Sequence, residues 1–126
     1  MNRLPEAIRF VASGGVATLS HWLAMALLMA AGTSPVMATS SGAVVGALVN
    51  YLMQKAYTFR SSNSHHIELP RYVAACALLW LANQLLFMLL MRLLDLSIPS
   101  IQLLTTAVVA LLSYWLYRRM VFNASR

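Results

Sequence analysis

The sequence predicts an all-α membrane protein: four transmembrane helices forming two parallel-repeat helical hairpins, with both termini cytoplasmic. Three observations support this. The chain has 126 residues, of which 60% are hydrophobic and 10% charged, whereas soluble domains carry about 25% charged residues. Four apolar runs, at 8–31, 36–53, 72–94 and 98–117, each approach the roughly 20 residues that cross a bilayer core as a helix. Only helices and closed barrels satisfy the backbone in hydrocarbon, and continuous runs of this length are not barrel strands. The third observation is that the two halves of the chain repeat one another.

The first run follows Arg3 and Arg9. It is longer than the roughly 7–15 apolar residues of a secretory leader, so it is expected to be a structural span. His21 lies near its middle, with Gly14, Ala17, Thr18 and Ala24 on the same face at steps of three and four. Polar groups at that depth face the bundle interior or a cavity rather than lipid. The turn Gly32-Thr33-Ser34-Pro35 places proline at the start of the second helix, where its missing N–H costs nothing.

The second run carries Ala38, Gly42, Gly46 and Asn50 at steps of four. That is a groove of small residues ending in an amide, and it lets another helix approach closely. Gln54 and Tyr57 extend the polar stripe toward Lys55 and Phe59. Asn50 to Phe59 covers roughly 13 Å of helix, enough to run from the core to the headgroup layer. A ligand apolar at one end and anionic at the other suits such a stripe.

A polar linker, 60–69, leads to the third run, which holds Cys76 and, near its middle, Asn83. The lone thiol cannot form an intrachain disulfide and reads as a small buried apolar residue. His65-His66 in the linker lacks further ligands for a metal. Trp22 and Trp80 lie too deep for an interfacial belt, which leaves core packing as their expected role. A second tight turn, from Asp95 to Pro99, introduces the fourth run, which ends in Tyr117, Arg118 and Arg119.

The repeat is clearest at the ends of the second and fourth runs. Asn50-Tyr51, Lys55 and Phe59 recur 63 residues later as Ser113-Tyr114, Arg118 and Phe122. Arg9-Phe10 and His21 match Arg71-Tyr72 and Asn83 at an offset of 62, and Pro35 matches Pro99 at 64. The chain therefore reads as one transmembrane domain, 1–126, with repeat 1 at 8–59 and repeat 2 at 70–122.

Charge sets the expected orientation. Of the nine Lys and Arg residues behind the net charge of +6, only Arg92 falls near a tight turn. The rest cluster at the termini and linker, which the positive-inside rule places in the cytoplasm. On that side the Asn123-Ala124-Ser125 sequon has no meaning. Clustering between apolar runs argues for anionic headgroups as partners and against nucleic acid. Glu6, Glu68 and Asp95 all lie at span boundaries, which argues against a proton-coupled cation exporter, since that needs an embedded carboxylate. With no nucleophile–base pair, metal-ligand cluster or phosphate loop in the sequence, neither an enzyme nor a bound cofactor is expected.

Arg9-Phe10, Gly14-Gly15, Asn50-Tyr51, Lys55 and Phe59, followed by the weaker second copy, resemble the GtrA family of small bacterial membrane proteins from Arg9 to Phe122. His21 stands where such proteins often carry an acid, and Ser113 replaces the asparagine in the second copy. The resemblance implies translocation of a polyprenyl-phosphate-linked sugar, such as undecaprenyl-phosphate-glucose, across the bacterial inner membrane for surface polysaccharide synthesis. It also implies glycosyltransferases as partners. Its alternative is a non-transporting accessory subunit that anchors or orients a glycosyltransferase. The expected substrate-binding residues are Arg9, Lys55, Arg71 and Arg118 for phosphate, and Asn50, Gln54, Asn83 and His21 for the sugar. A chain this small is expected to need a homo-oligomer to enclose a path.

Overall fold

The structure is a computed structural model and describes residues 4–122. Arg3, Arg126 and the Asn123-Ala124-Ser125 sequon lie outside the described residues. The order of elements is α1 (Glu6–Ala30), α2 (Pro35–Met53), a π-helical turn π1 (Gln54–Thr58), α3 (His65–Leu93), α4 (Ile98–Leu116) and a second such turn π2 (Tyr117–Val121). Four helices are long and apolar enough to cross a membrane, two of them counted with their π turns. The chain divides into two compact units, Met1–Ser62 and Asn63–Arg126.

Local chemistry sets each boundary. Glu6 places an acid in the first turn of α1, where the helix dipole favours it. At the other end Gly32 takes φ +97°, while the Gly32 and Thr33 N–H groups donate to the Met29 and Leu28 carbonyls, each at 3.0 Å. This left-handed closure needs a residue without Cβ. Ser34 then caps α2, its side chain accepting from the Met37 N–H at 3.3 Å, and Pro35 opens the helix as expected.

The third helix starts earlier than the sequence suggests. It begins at His65 rather than 72, and Pro70 lies inside it. The Ser64 side chain accepts from the His66 N–H at 3.1 Å. Glu68 is fully buried and accepts from Asn63 Nδ2 at 3.3 Å. The linker is therefore shorter than 60–69, and Glu68 belongs to a helix rather than a boundary loop. A polar composition and a proline masked a first turn that capping and a satisfied carboxylate hold in place.

The two units have matching bounds. Pro35 and Ile98, Met53 and Leu116, Gln54 and Tyr117, and Thr58 and Val121 are all 63 residues apart. Both second helices thus end in a π turn at the same offset, closed by Phe59 N–H to Gln54 O at 2.8 Å and by Phe122 N–H to Tyr117 O at 2.7 Å. Such turns occur mostly as single insertions and often near functional sites.

The first unit buries mainly small and polar groups along its helix–helix seam and turns most of its large apolar side chains outward, whereas the second buries Tyr72, Leu79, Ile101, Tyr117 and Phe122. In the first, Ser13, Ala17, Ala38, Gly42 and Gly46 are buried, whereas Val11, Leu19 and Leu23 are exposed. This is the pattern for a lipid solvent, where close backbone approach replaces the hydrophobic effect as the force between helices. It corrects the expectation for the tryptophans. Trp22 is 61% and Trp80 65% exposed, so neither is core packing.

Candidate functional site

In the first unit α1 presents Arg9, Ser13, Ala17 and His21 at steps of four to the stripe Ala38, Gly42, Gly46, Asn50, Gln54 and Thr58. The pairings run in opposite directions along the two helices. A Cβ on Gly42 would lie 2.7 Å from His21 Cδ2 and 2.7 Å from the His21 carbonyl oxygen. One on Gly46 would lie 3.0 Å from His21 Cβ and 3.1 Å from the Ala17 oxygen. The small-residue groove is thus filled by α1. Within this unit His21 packs against Gly42, and its Nε2 stands 3.4 Å from Thr39 Oγ1. Of the residues grouped on its face by spacing, Ala17 is buried, while Thr18 is exposed and donates back to the Gly14 carbonyl at 2.9 Å.

Where α1 meets π1, polar groups close into a knot. Arg9 donates from Nη2 to Thr58 O at 2.8 Å and from Nε to the Tyr57 and Thr58 oxygens at 3.1 and 3.2 Å. Its Nη1 also donates to the Leu4 carbonyl. Thr58 Oγ1 donates to the Arg9 carbonyl at 3.1 Å and lies 2.7 Å from Ser13 Oγ. The Thr58 hydroxyl has one proton, so Ser13 is the donor between the two side chains. Gln54 is 1% exposed, and its Nε2 donates to Asn50 Oδ1 at 3.1 Å and to Phe10 O at 3.4 Å. Its Oε1 is buried with no partner among the described residues. Gln54 and Asn50 are therefore bonded to one another, while Arg9 is taken up by the Leu4 and π1 carbonyls. Lys55, on the same turn, is half-buried.

The second unit builds the same corner from different chemistry. Ala75 and Val121 are buried where the first unit has Ser13 and Thr58. Tyr117 stands in the place of Gln54 and packs on Tyr72 and Phe122, with ring centroids 5.5 and 6.2 Å away. Arg71, the counterpart of Arg9, is exposed and makes no hydrogen bond with another described residue. It lines a cleft of about 420 Å³ with Arg119, over walls of Ala74, Ala75, Leu78, Leu116 and Met120. Arg119 is likewise exposed and unbonded to described residues. Arg118, which the repeat pairs with Lys55, is not part of this cleft.

Asn83 lies elsewhere. It lines a second cleft of about 330 Å³, bounded by Cys76, Leu79, Trp80, Val109, Ser113 and Tyr117. The second unit thus separates two expected site residues, Arg71 and Asn83, into different clefts. Sequence reasoning missed Arg119, because the repeat pointed to its neighbour. It also missed Ser13 and Thr58, although Ser13 follows Arg9 by one helical turn. Among the described residues there is no group of His, Cys, Asp or Glu that could hold a metal ion.

A family model described as GtrA/DPMS, transmembrane domain, matches residues 9–122. No curated protein and no solved structure matches the chain.

Proposed function

Because the chain belongs to the GtrA/DPMS transmembrane-domain family, we propose that it moves a polyprenyl-phosphate-linked sugar between the leaflets of the bacterial inner membrane. The observation that carries this reading is the cleft holding Arg71 and Arg119. Two guanidinium groups with no partner among the described residues stand over apolar walls. A phosphate on a long hydrocarbon is complementary to both features, since guanidinium binds phosphate through charge-assisted hydrogen bonds and the walls accept its first prenyl units. Arg118 and Lys55 add positive potential in their own units. Membership of the family supports a role in lipid-linked glycosyl carrier pathways, and the protein itself makes or breaks no bond.

On this reading the two units are parallel repeats, with both termini and the linker cytoplasmic, as the distribution of Lys and Arg favours. Copies of the chain assemble to enclose the path. Glycosyltransferases of the same pathway load and unload the lipid, and nucleic acid has no part. The alternative, an accessory subunit that orients a glycosyltransferase, draws on Gly14 and Gly15, where an added Cβ would meet nothing within 4 Å beyond the helix's own backbone. Such a face admits a partner helix.

The test uses purified protein in liposomes with polyprenyl phosphate carrying one glucose. Replacing both Arg71 and Arg119 with Gln should weaken binding of this lipid by about tenfold or more, as expected for lost charged hydrogen bonds. The loss should be greater at low salt than at high. Wild-type binding and movement in the double variant would end the reading.

A further inference from the structure

The cleft around Asn83 has a composition unlike that of the arginine cleft. No charged side chain lines it, and its walls combine an amide, a hydroxyl, a phenol and an indole with Leu79 and Val109. Asn83 is half-buried and makes no hydrogen bond with any described residue. An amide carried into the middle of an apolar run and left without a partner is costly. Ser113 donates to the Val109 carbonyl at 2.7 Å, so its oxygen remains able to accept. Tyr117 brings its hydroxyl 4.0 Å from Cys76 Sγ. Trp80 is exposed and lines the same cleft.

We propose that this α3–α4 cleft is a transit subsite that holds a neutral pyranose, the glycosyl group of the carried lipid, midway across the membrane. The proposal rests on the lipid-linked-sugar reading above. A lipid acyl chain would fill the walls but leave the Asn83 amide unsatisfied, and a phosphate finds no cation here. A pyranose matches both halves of the lining. Its hydroxyls pair with the Asn83 amide and the Ser113 oxygen, and its C–H face, which is electron-poor, lies against the negative face of the Trp80 ring. Sites that recognise small polar ligands generally combine such aromatic walls with a few placed polar groups.

The position of the cleft adds a constraint. Arg71 and Asn83 are twelve residues apart on α3, about 18 Å of helix. A sugar bonded directly to its phosphate cannot reach Asn83 while the phosphate stays on Arg71. The two clefts are therefore successive stations: phosphate is held first by the arginines, then released as the sugar reaches the neutral cleft. Asn83 and Trp80 thus act on movement rather than on capture.

The experiment compares wild type, Asn83→Leu and Trp80→Leu in liposomes, each with two probes: undecaprenyl phosphate and undecaprenyl phosphate carrying one glucose. Binding of both probes, leaflet-to-leaflet movement, melting temperature and oligomeric state are read on the same preparations. The expected result is an unchanged oligomer and unchanged binding of undecaprenyl phosphate, which carries no sugar for the cleft to hold. Movement of the glucosylated lipid should fall by about tenfold or more in Asn83→Leu, the scale of one or two lost hydrogen bonds, and by a smaller factor in Trp80→Leu, which removes the ring face alone, with the bare lipid unaffected. Wild-type movement of the glucosylated lipid in folded Asn83→Leu would overturn the subsite while leaving the function standing. Loss of the oligomer, with both lipids slowed alike, would instead assign the amide to contact between copies and overturn it too. If wild-type protein moves neither lipid, the lipid-linked-sugar reading fails, and the subsite with it.

Discussion

Gly42 shows how tightly a single position is specified. The His21 ring and backbone occupy the space where its Cβ would stand, at 2.7 Å, and part of that contact is backbone that cannot rotate away. Gly42→Ala should therefore force α1 and α2 apart and cost about 1–3 kcal/mol, the usual range for overpacking. Gly46→Ala, with its nearest contacts at 3.0 and 3.1 Å, should cost less. Gly14→Ala meets nothing within 4 Å and should hold or raise stability, since alanine is the better helix former by about 0.5–1 kcal/mol. Thermal melting of the three variants in one detergent checks the order. Arg60 is a second specified position: it adopts φ 52° just after π1, where its Ser61 neighbour donates to the Lys55 carbonyl at 2.9 Å. That left-handed closure resembles the one at Gly32, but it is made by a residue that pays about 1 kcal/mol for it.

Comparing the two π-turn corners separates shape from chemistry. Both units place a five-residue π turn at the end of the second helix, yet one is held by Ser13, Thr58 and Arg9 and the other by Ala75, Val121 and three aromatic rings. Thr58→Val strands the buried Ser13 hydroxyl and should cost about 1–3 kcal/mol, whereas Ser13→Ala leaves the Thr58 hydroxyl donating to the Arg9 carbonyl and should cost less. The double variant copies the second unit at both positions, so it should cost less than the two singles combined. A double-mutant cycle on melting free energy measures this, and strict additivity would show that the Ser13–Thr58 contact is incidental. The same comparison shows what was legible in the sequence. The four helices, both prolines at helix starts and the 63-residue offset followed from apolar length, turn residues and spacing. The π turns did not, because an extra residue in a helical turn leaves no periodic trace over five positions. Nor did the split between Arg9 and Arg71. Identical residues at matched positions suggested one role, whereas Arg9 donates to the Tyr57 and Thr58 carbonyls and Arg71 makes no hydrogen bond with another described residue. Asn50 and Gln54 were correctly grouped, but nothing in their spacing revealed that Gln54 is turned inward.

For the whole molecule, orientation is the property on which the proposed transport depends. Cysteine placed at position 62 or 34, with Cys76 replaced, should react differently with an impermeant reagent added outside intact cells. Position 34 should label and position 62 should be spared; the opposite pattern would reverse the molecule and put the arginine cleft on the wrong side for a lipid loaded in the cytoplasm. The bonds from Arg9 to Thr58 carry a consequence for how the molecule is made. They join residues 49 apart in the chain, and synthesis adds about 5–20 residues each second. For some seconds, then, the first span exists without its capping partner. The lock closes only once Thr58 has been delivered, so the first span takes its final register from the far end of its own hairpin.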